Sequence, residues 1–185
     1  MARFWDPHLA AWQIQILPGE LYVTGEDEVI STVLGSCVSA CVRDRERGIG
    51  GMNHFLLPRS PGTGDASMPA RYGLYALECL LNKVTRGRAR RDALEIKVFG
   101  GGHVLEGMTD IGRANIEFVR EFFTTEGLDV VAEDLGGVRA RRVRYWPRSG
   151  RVQLLHMPIN TAKGIVEREA EAARRGAAAG TVELF

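Results

Sequence analysis

The segment from residue 37 to residue 57 constrains the fold most, because it has the pattern of two strands joined by a tight turn. Its first half, CVSACVRD, alternates along its length, RERG is the turn, and IGGMNHFLLP ends at Pro58. Two glycines inside the second strand indicate a bulge or a close approach of another backbone. We predict a β-hairpin here, whose pairing would bring Cys37 and His54 near each other.

Further strands are predicted on both sides of this hairpin, since short runs rich in β-branched residues alternate with turn residues. These strands cover 21–25, 27–35, 93–102, 128–137, 138–146 and 151–158. Because hairpins outnumber β-α-β units in this order, the predicted fold class is mixed α/β (α+β) with mostly antiparallel hairpins.

Two amphipathic helices are predicted between the strands. The first begins near Pro69, after a loop over 59–69, and its predicted buried stripe consists of Leu74, Leu77, Leu81 and Val84. The second helix spans 110–127, with Asp110 as its N-cap and Gly127 just beyond its last turn.

The composition suits a single domain with its own core. The chain has 185 residues, of which 45% are hydrophobic and 25% charged, and its formal net charge is +1. This charge gives no electrostatic reason to expect nucleic acid as a partner. No stretch approaches the ~18 apolar residues of a membrane span, the N-terminus has no secretory pattern, and three cysteines are too few for a disulfide framework.

These features predict a cytoplasmic protein without direct membrane insertion. We predict one domain over residues 1–160, which includes an extended N-terminal arm over 1–18. The remaining residues, 161–185, are rich in alanine and charge and are predicted to be a marginal helix or a flexible tail.

Cys37 and His54 are a candidate nucleophile and base. Cys37 follows Leu-Gly-Ser, a turn of small residues that can leave backbone N–H groups free to hold an oxyanion. An imidazole within hydrogen-bond reach would lower the pKa of the thiol and later act as a general acid. A hydroxyl on the preceding strand could orient the imidazole. Either Ser31 or Thr32 could supply it, but only one of them, because neighbours in a strand point to opposite faces.

Other interpretations of these residues stay open on spacing alone. A cysteine in an apolar strand is most often a small buried hydrophobe. Cys37, Cys41 and His54 also have a spacing that zinc sites tolerate, although no fourth ligand is evident. Asn115 lies on the apolar face of its helix and is either a buried structural amide or a substrate-binding one. The glycines at 100–102 lack the pattern of a nucleotide-binding loop.

The segment LGSCVSAC…GIGGMNHFLLP resembles the signature of the chemoreceptor glutamine deamidase family, CheD. The resemblance continues in the family's order through ARYG (70–73), KVFGGG (97–102), IGRANIEFV (111–119) and AEDLGGVRARRV (132–143). It therefore covers about residues 19–157, which is most of the chain.

This resemblance implies a layered α/β sandwich of the cysteine deamidase type. It implies hydrolysis of specific glutamine side chains in methyl-accepting chemotaxis receptors to glutamate and ammonia through a cysteine thioester. Cys37 corresponds to the family's nucleophile and His54 to its general base. The third position corresponds to Thr32, with Ser31 as the alternative. No metal or other cofactor is implied.

Three further residues are expected to complete the site. We expect the backbone around Gly35 and Ser36 to hold the oxyanion, and Asn53 to help shape the site.

The implied partner is the cytoplasmic domain of the receptor, and some relatives also bind a CheC-type phosphatase. One alternative function is a non-catalytic chemotaxis adaptor that binds receptors or such a phosphatase. Another is methylester hydrolysis on the same receptors by the same residues.

Overall fold

The computed structural model describes residues 1–57, 67–86, 90–104 and 111–158, together with Gly164, Glu169 and Glu171. Most of the predicted loop over 59–69, the predicted N-cap Asp110 and most of the predicted tail lie outside these residues. The strands are β1 Ala2–Asp6, β2 Ala11–Gln15, β3 Leu21–Thr24, β4 Glu28–Leu34, β5 Val38–Asp44, β6 Ile49–Asn53, β7 Leu94–Gly100, β8 Val130–Leu135, β9 Arg141–Trp146 and β10 Arg151–His156. The helices are α1 Ser67–Thr85 and α2 Ile111–Thr125, with a 3₁₀ turn at Arg91–Ala93.

The strands form two five-stranded sheets. Sheet A has the order β1-β2-β4-β9-β10, and sheet B has the order β3-β6-β5-β7-β8. Six of the eight strand pairings in the described residues are antiparallel, and β2–β4 and β7–β8 are parallel. The predicted mixed α/β class with mostly antiparallel hairpins is confirmed.

The two sheets and the helices are three layers that enclose two cores. Side chains from both sheets, such as Ile30, Met52 and Tyr145, form the core between the sheets. Val42 of sheet B packs with Leu80 of α1, and α2 adds to this second core. Since sheet B lies between the two cores, β5 is buried along almost all of its length.

The predicted hairpin over 37–57 consists of β5 and β6, with Cys41 opposite Met52. A further bridge joins Val38 to Phe55 beyond the end of β6. Gly51 allows β3 to approach closely, because a Cβ at this position would lie 2.5 Å from Cγ2 of Val23. The glycines of this strand therefore mark a close backbone approach, as the sequence predicts.

The buried stripe of α1 differs from the predicted one. Leu77, Leu80 and Val84 are fully buried, whereas Leu74 is 40% exposed and Leu81 only packs against the edge of the core. The prediction was wrong at Leu74, since the stripe continues toward the N-terminus through Gly73 instead. A Cβ on Gly73 would collide with Leu57 and Phe118.

The N-terminal residues, predicted as an extended arm over 1–18, form a hairpin that joins sheet A. β1 pairs with β2, and β2 runs parallel to β4 in sheet A. Ile14 and Ile16 are each 1% exposed and enter the core between the sheets. Trp5 and Trp12 pack edge to face on the exposed side. Large apolar groups on both faces conceal the strand alternation in the sequence.

Candidate active site

The turn Gly35–Cys37 crosses from one sheet to the other. β4 of sheet A ends at Leu34 and β5 of sheet B begins at Val38, so the turn lies at the end of both. Cys37 is fully buried, and its side chain belongs to the core between the sheets.

The glycine triplet at 100–102 supports this turn from behind. The N–H groups of Gly101 and Gly102 donate hydrogen bonds to the carbonyl oxygens of Cys37 and Gly35, at 2.7 and 2.8 Å. Gly100 has a φ of +118°, and a Cβ there would collide with the carbonyl oxygen of Cys37. The triplet therefore lets β7 approach the backbone of the Gly35–Cys37 turn, a role that its sequence pattern did not predict.

Asn115 connects α2 to the same turn. Its side chain is fully buried, donates to the carbonyl oxygen of Ser36 at 2.8 Å and accepts from the N–H of Leu57 at 2.9 Å. Both contacts are to backbone groups. This agrees with the interpretation of Asn115 as a buried structural amide. Asn115 thereby helps to fix the position of Ser36.

His54 is held by a hydrogen bond between the two sheets. Nδ1 of His54 lies 2.7 Å from Oγ1 of Thr32, and this hydroxyl also donates to the carbonyl oxygen of Ile16 at 2.9 Å. A hydroxyl has one proton to donate, so Thr32 accepts from the Nδ1–H of His54. Nε2 is then the unprotonated nitrogen, and it has no hydrogen-bond partner within the described part of the chain.

Burial controls the protonation of both Cys37 and His54. Burial lowers the pKa of His54 to about 3, so the imidazole is neutral near pH 7. Burial, and secondarily the negative charge of Glu169, raises the pKa of Cys37 well above its ordinary value. Tyr72 of α1 is a further neighbour, whose pKa is raised by burial and by the charge of a Cys37 thiolate. The resting site therefore holds a neutral thiol beside a neutral imidazole.

Glu169 lies in the site although sequence reasoning placed it in a tail. It is 2% exposed, and its Oε1 accepts from the N–H groups of Gly35 at 2.6 Å and Cys37 at 3.4 Å. Its Oε2 accepts from the N–H of Ser36 at 2.9 Å and from the Ser36 hydroxyl at 2.8 Å. A carboxylate thus accepts hydrogen bonds from the backbone amides that are predicted to hold an oxyanion.

The other two predicted site residues lie elsewhere. Ser31 neighbours Thr32 in β4, so its side chain points to the opposite face of sheet A, where it lines a pocket with Gln13 and Arg144. The side chain of Asn53 accepts from the N–H of Ala40 at 2.9 Å and donates to the carbonyl oxygen of Ala76 at 3.2 Å. Asn53 therefore joins β5 to α1.

Cys37, His54 and Glu169 are the one group of possible metal ligands found within the described ranges. Their ligand atoms lie within 4.8 Å of one another. Cys41, which belonged to the predicted zinc alternative, is not in this group. Both carboxylate oxygens of Glu169 already accept hydrogen bonds from N–H or O–H donors. The observed contacts are those of an anion in a pocket of donors.

A family model described as "CheD chemotactic sensory transduction" matches residues 56–156. Three relatives are named "Probable chemoreceptor glutamine deamidase CheD". The relative from Janthinobacterium sp. (strain Marseille) is 51% identical, with 92% of this chain and 88% of that protein covered. The relative from Herminiimonas arsenicoxydans is 49% identical with the same coverage, and that from Hahella chejuensis is 42% identical over 99% and 90%. This chain belongs to the CheD family.

Membership of the CheD family confirms the resemblance predicted from the sequence. Among solved structures, hypothetical protein YfiH of Bacillus licheniformis matches 61% of this chain and 49% of its own, at 11% identity and a TM-score of 0.41. That similarity is too distant to bear on the fold or the activity. No helix within the described residues is long and apolar enough to cross a membrane.

Proposed function

We propose that this CheD-family protein is a chemoreceptor glutamine deamidase, a hydrolase that converts specific receptor glutamines to glutamate and ammonia. One observation carries the catalytic part of the proposal. Thr32 holds the Nδ1–H of His54, which leaves Nε2 as a base in a buried site that also contains the Cys37 thiol. The relatives named as glutamine deamidases support the choice of substrate.

In the first half of the reaction, the glutamine side chain binds with its carbonyl oxygen at the amides of Gly35, Ser36 and Cys37. Nε2 of His54 takes the proton of the Cys37 thiol as Sγ attacks the amide carbon. The amides stabilise the negative oxygen of the tetrahedral intermediate. His54 then donates the proton to the amide nitrogen and the C–N bond breaks. Ammonia departs, and a glutamyl thioester remains on Cys37.

In the second half, His54 acts as a base again. It takes a proton from a water molecule, whose oxygen attacks the thioester carbon. The C–S bond breaks, the proton returns to sulfur, and glutamate is released. Because burial keeps both Cys37 and His54 neutral, proton transfer accompanies the attack and does not precede it as a stable ion pair.

Three finer parts of this proposal are supported by the family resemblance. They are the cytoplasmic domain of the receptor as the substrate, the cytoplasm as the location, and a CheC-type phosphatase as a second partner. A phosphatase that binds over the Gly35–Cys37 turn would compete with the receptor. Pull-down of a CheC-type phosphatase with and without excess receptor fragment tests that partner directly.

Mass spectrometry of a receptor cytoplasmic fragment tests the proposed reaction. We expect a gain of about 1 Da at each modified glutamine with the unaltered protein, and no gain with Cys37→Ala or His54→Ala. Cys79→Ala is the matched control, because Cys79 is a half-buried thiol on α1 outside the site. Deamidation by the Cys37→Ala protein would contradict the mechanism, and esterase activity without deamidation would contradict the reaction.

A further inference from the structure

The carboxylate of Glu169 is held as a ligand would be held. It is almost fully buried and accepts four hydrogen bonds, three from backbone N–H groups and one from the Ser36 hydroxyl. Within the described ranges, no lysine or arginine forms an ion pair with it. A buried carboxylate needs hydrogen-bond donors to offset the loss of water, and here the backbone N–H groups and the Ser36 hydroxyl supply them. The Gly35–Cys37 turn is therefore an anion-binding pocket that Glu169 fills.

This pocket coincides with the place that the proposed function assigns to the reacting side chain. A carboxylate oxygen of Glu169, a ring nitrogen of His54 and Sγ of Cys37 lie within 4.8 Å of one another. Glutamate is also the side chain that the reaction would produce. It differs from the substrate glutamine only in an oxygen that replaces the NH₂ group, so it reports where a substrate side chain fits.

The Ser36 hydroxyl is suited to both forms of that side chain. A hydroxyl can donate to a carboxylate oxygen, as it does to Oε2 of Glu169, or accept from the NH₂ of an amide. The backbone N–H groups of Gly35 and Cys37 can only donate, and they meet the other oxygen. The backbone N–H of Ser36 also donates to Oε2, so backbone amides face both oxygens, and the Ser36 hydroxyl is the group of this turn that could accept from an NH₂.

We propose that Glu169 is an intramolecular product analogue, which occupies the substrate side-chain pocket and keeps the protein inhibited until a receptor segment displaces it. The proposal rests on the proposed deamidase function. It also specifies how the substrate is presented: the backbone of Glu169 is helical, so the pocket accepts a glutamyl or glutaminyl side chain that projects from a helix.

A tethered occupant can inhibit strongly even when its intrinsic affinity is modest. Tethered groups commonly reach effective concentrations in the millimolar range. If Glu169 fills the pocket about nine-tenths of the time, the apparent receptor affinity falls about tenfold. While Glu169 is bound, its negative charge also contributes to the raised pKa of the Cys37 thiol.

Glu169→Gln gives the sharpest test, because it places a potential substrate where the product analogue lies. We expect the introduced glutamine to be hydrolysed in cis, with a gain of about 1 Da that peptide mass spectrometry locates at position 169. The double variant Cys37→Ala/Glu169→Gln should show no gain. Glu171→Gln is the matched control, since Glu171 is helical but exposed, and its introduced glutamine should persist.

Glu169→Ala supplies an independent measurement on the receptor fragment. We expect kcat/KM for receptor deamidation to rise about tenfold, and Glu171→Ala to leave it unchanged. An unchanged rate with Glu169→Ala would overturn the inhibitory role. Stoichiometric zinc in the purified protein, lost in Glu169→Ala, would also overturn the proposal and make Glu169 a metal ligand.

The two proposals fail in different ways. If the glutamine introduced at position 169 persists in a protein that deamidates the receptor, the product-analogue proposal is wrong and the deamidase proposal stands. If that glutamine is hydrolysed in a Cys37-dependent way but no receptor is modified, Glu169 does occupy the substrate side-chain pocket and the receptor is the wrong substrate. If neither glutamine reacts, both proposals are wrong.

Discussion

The hydroxyl of Thr32 determines which nitrogen of His54 carries the proton. Thr32→Val removes the acceptor but keeps the volume, so Nδ1–H loses its partner and the tautomer with a basic Nε2 is no longer favoured. We expect kcat for deamidation to fall about 100-fold, in the range typical of general acid–base groups. Thr32→Ser retains the hydroxyl and should recover most of the activity. Steady-state kinetics on a receptor fragment measures both.

Ser31 provides the control for that experiment. Its side chain lies on the opposite face of sheet A. Ser31→Ala should therefore change kcat by no more than about twofold from the value of the unaltered protein, which is far less than the loss of an acid–base group causes. If Ser31→Ala lost most of its kcat while Thr32→Val stayed active, Ser31 and not Thr32 would be the residue that orients His54.

The reactivity of Cys37 should report on Glu169. Burial and then the charge of Glu169 raise the pKa of the Cys37 thiol. Glu169→Ala removes the charge and admits water, so the pH dependence of alkylation by iodoacetamide should move to lower pH. Peptide mapping separates Cys37 from Cys41 and Cys79, and the rate at Cys79 should stay the same. An unshifted profile for Cys37 would show that Glu169 does not act on the thiol.

At the level of elements, Asn115 couples α2 to the Gly35–Cys37 turn. Asn115→Ala leaves the carbonyl oxygen of Ser36 and the N–H of Leu57 without a buried partner, which should cost about 2–4 kcal/mol of unfolding free energy. It should also lower kcat about tenfold or more, because displacement of the reacting groups is costly. Urea unfolding and kinetics measure the two effects separately.

Asn115→Asp distinguishes positioning from general destabilisation. In its ionised form, aspartate still accepts from the N–H of Leu57 but cannot donate to the carbonyl oxygen of Ser36. We expect kcat to fall as far as in Asn115→Ala. Full activity in Asn115→Asp would mean that the bond to Ser36 does not position the turn.

For the molecule as a whole, buried His54 makes stability depend on pH. Its pKa is about 3 in the folded chain and about 6.5 when unfolded. Between these values only the unfolded chain binds the proton, so stability falls as pH falls below 6.5 and is unaffected above it. The stability of the unaltered protein relative to His54→Asn should decrease by about 2 kcal/mol from pH 7.5 to pH 5. Urea unfolding at both pH values tests this, and a constant difference would contradict it.

Local patterns were enough to predict much of this fold. The hairpin of β5 and β6 and the strands around it follow from alternation and glycine positions, which are properties of neighbouring residues. The predicted buried stripe of α1 is wrong at Leu74, because Gly73 has no side chain to mark where the buried face continues. The N-terminal hairpin was missed because Trp5 and Trp12 give its exposed face an apolar character.

The candidate site was predicted less completely, since its contacts join distant parts of the chain. Glu169 lies 134 residues from Gly35 in sequence, and its own neighbourhood is rich in alanine and charge, which suggests a solvated segment. The choice between Ser31 and Thr32 depended on a register of one residue that a single strand does not reveal. Asn53 is predicted to help shape the site, but its side chain instead hydrogen-bonds the backbone of Ala40 and Ala76.

The hydrogen bond between Thr32 and His54 joins the two sheets, so the proposed reaction depends on how the sheets are aligned. A slide of sheet A against sheet B by about 1 Å would break the bond while leaving each sheet and its own ladder intact. Heating or a cavity in the core between the sheets, such as Met52→Ala, should therefore abolish turnover at temperatures where circular dichroism still reports folded protein. Loss of activity would then precede loss of structure.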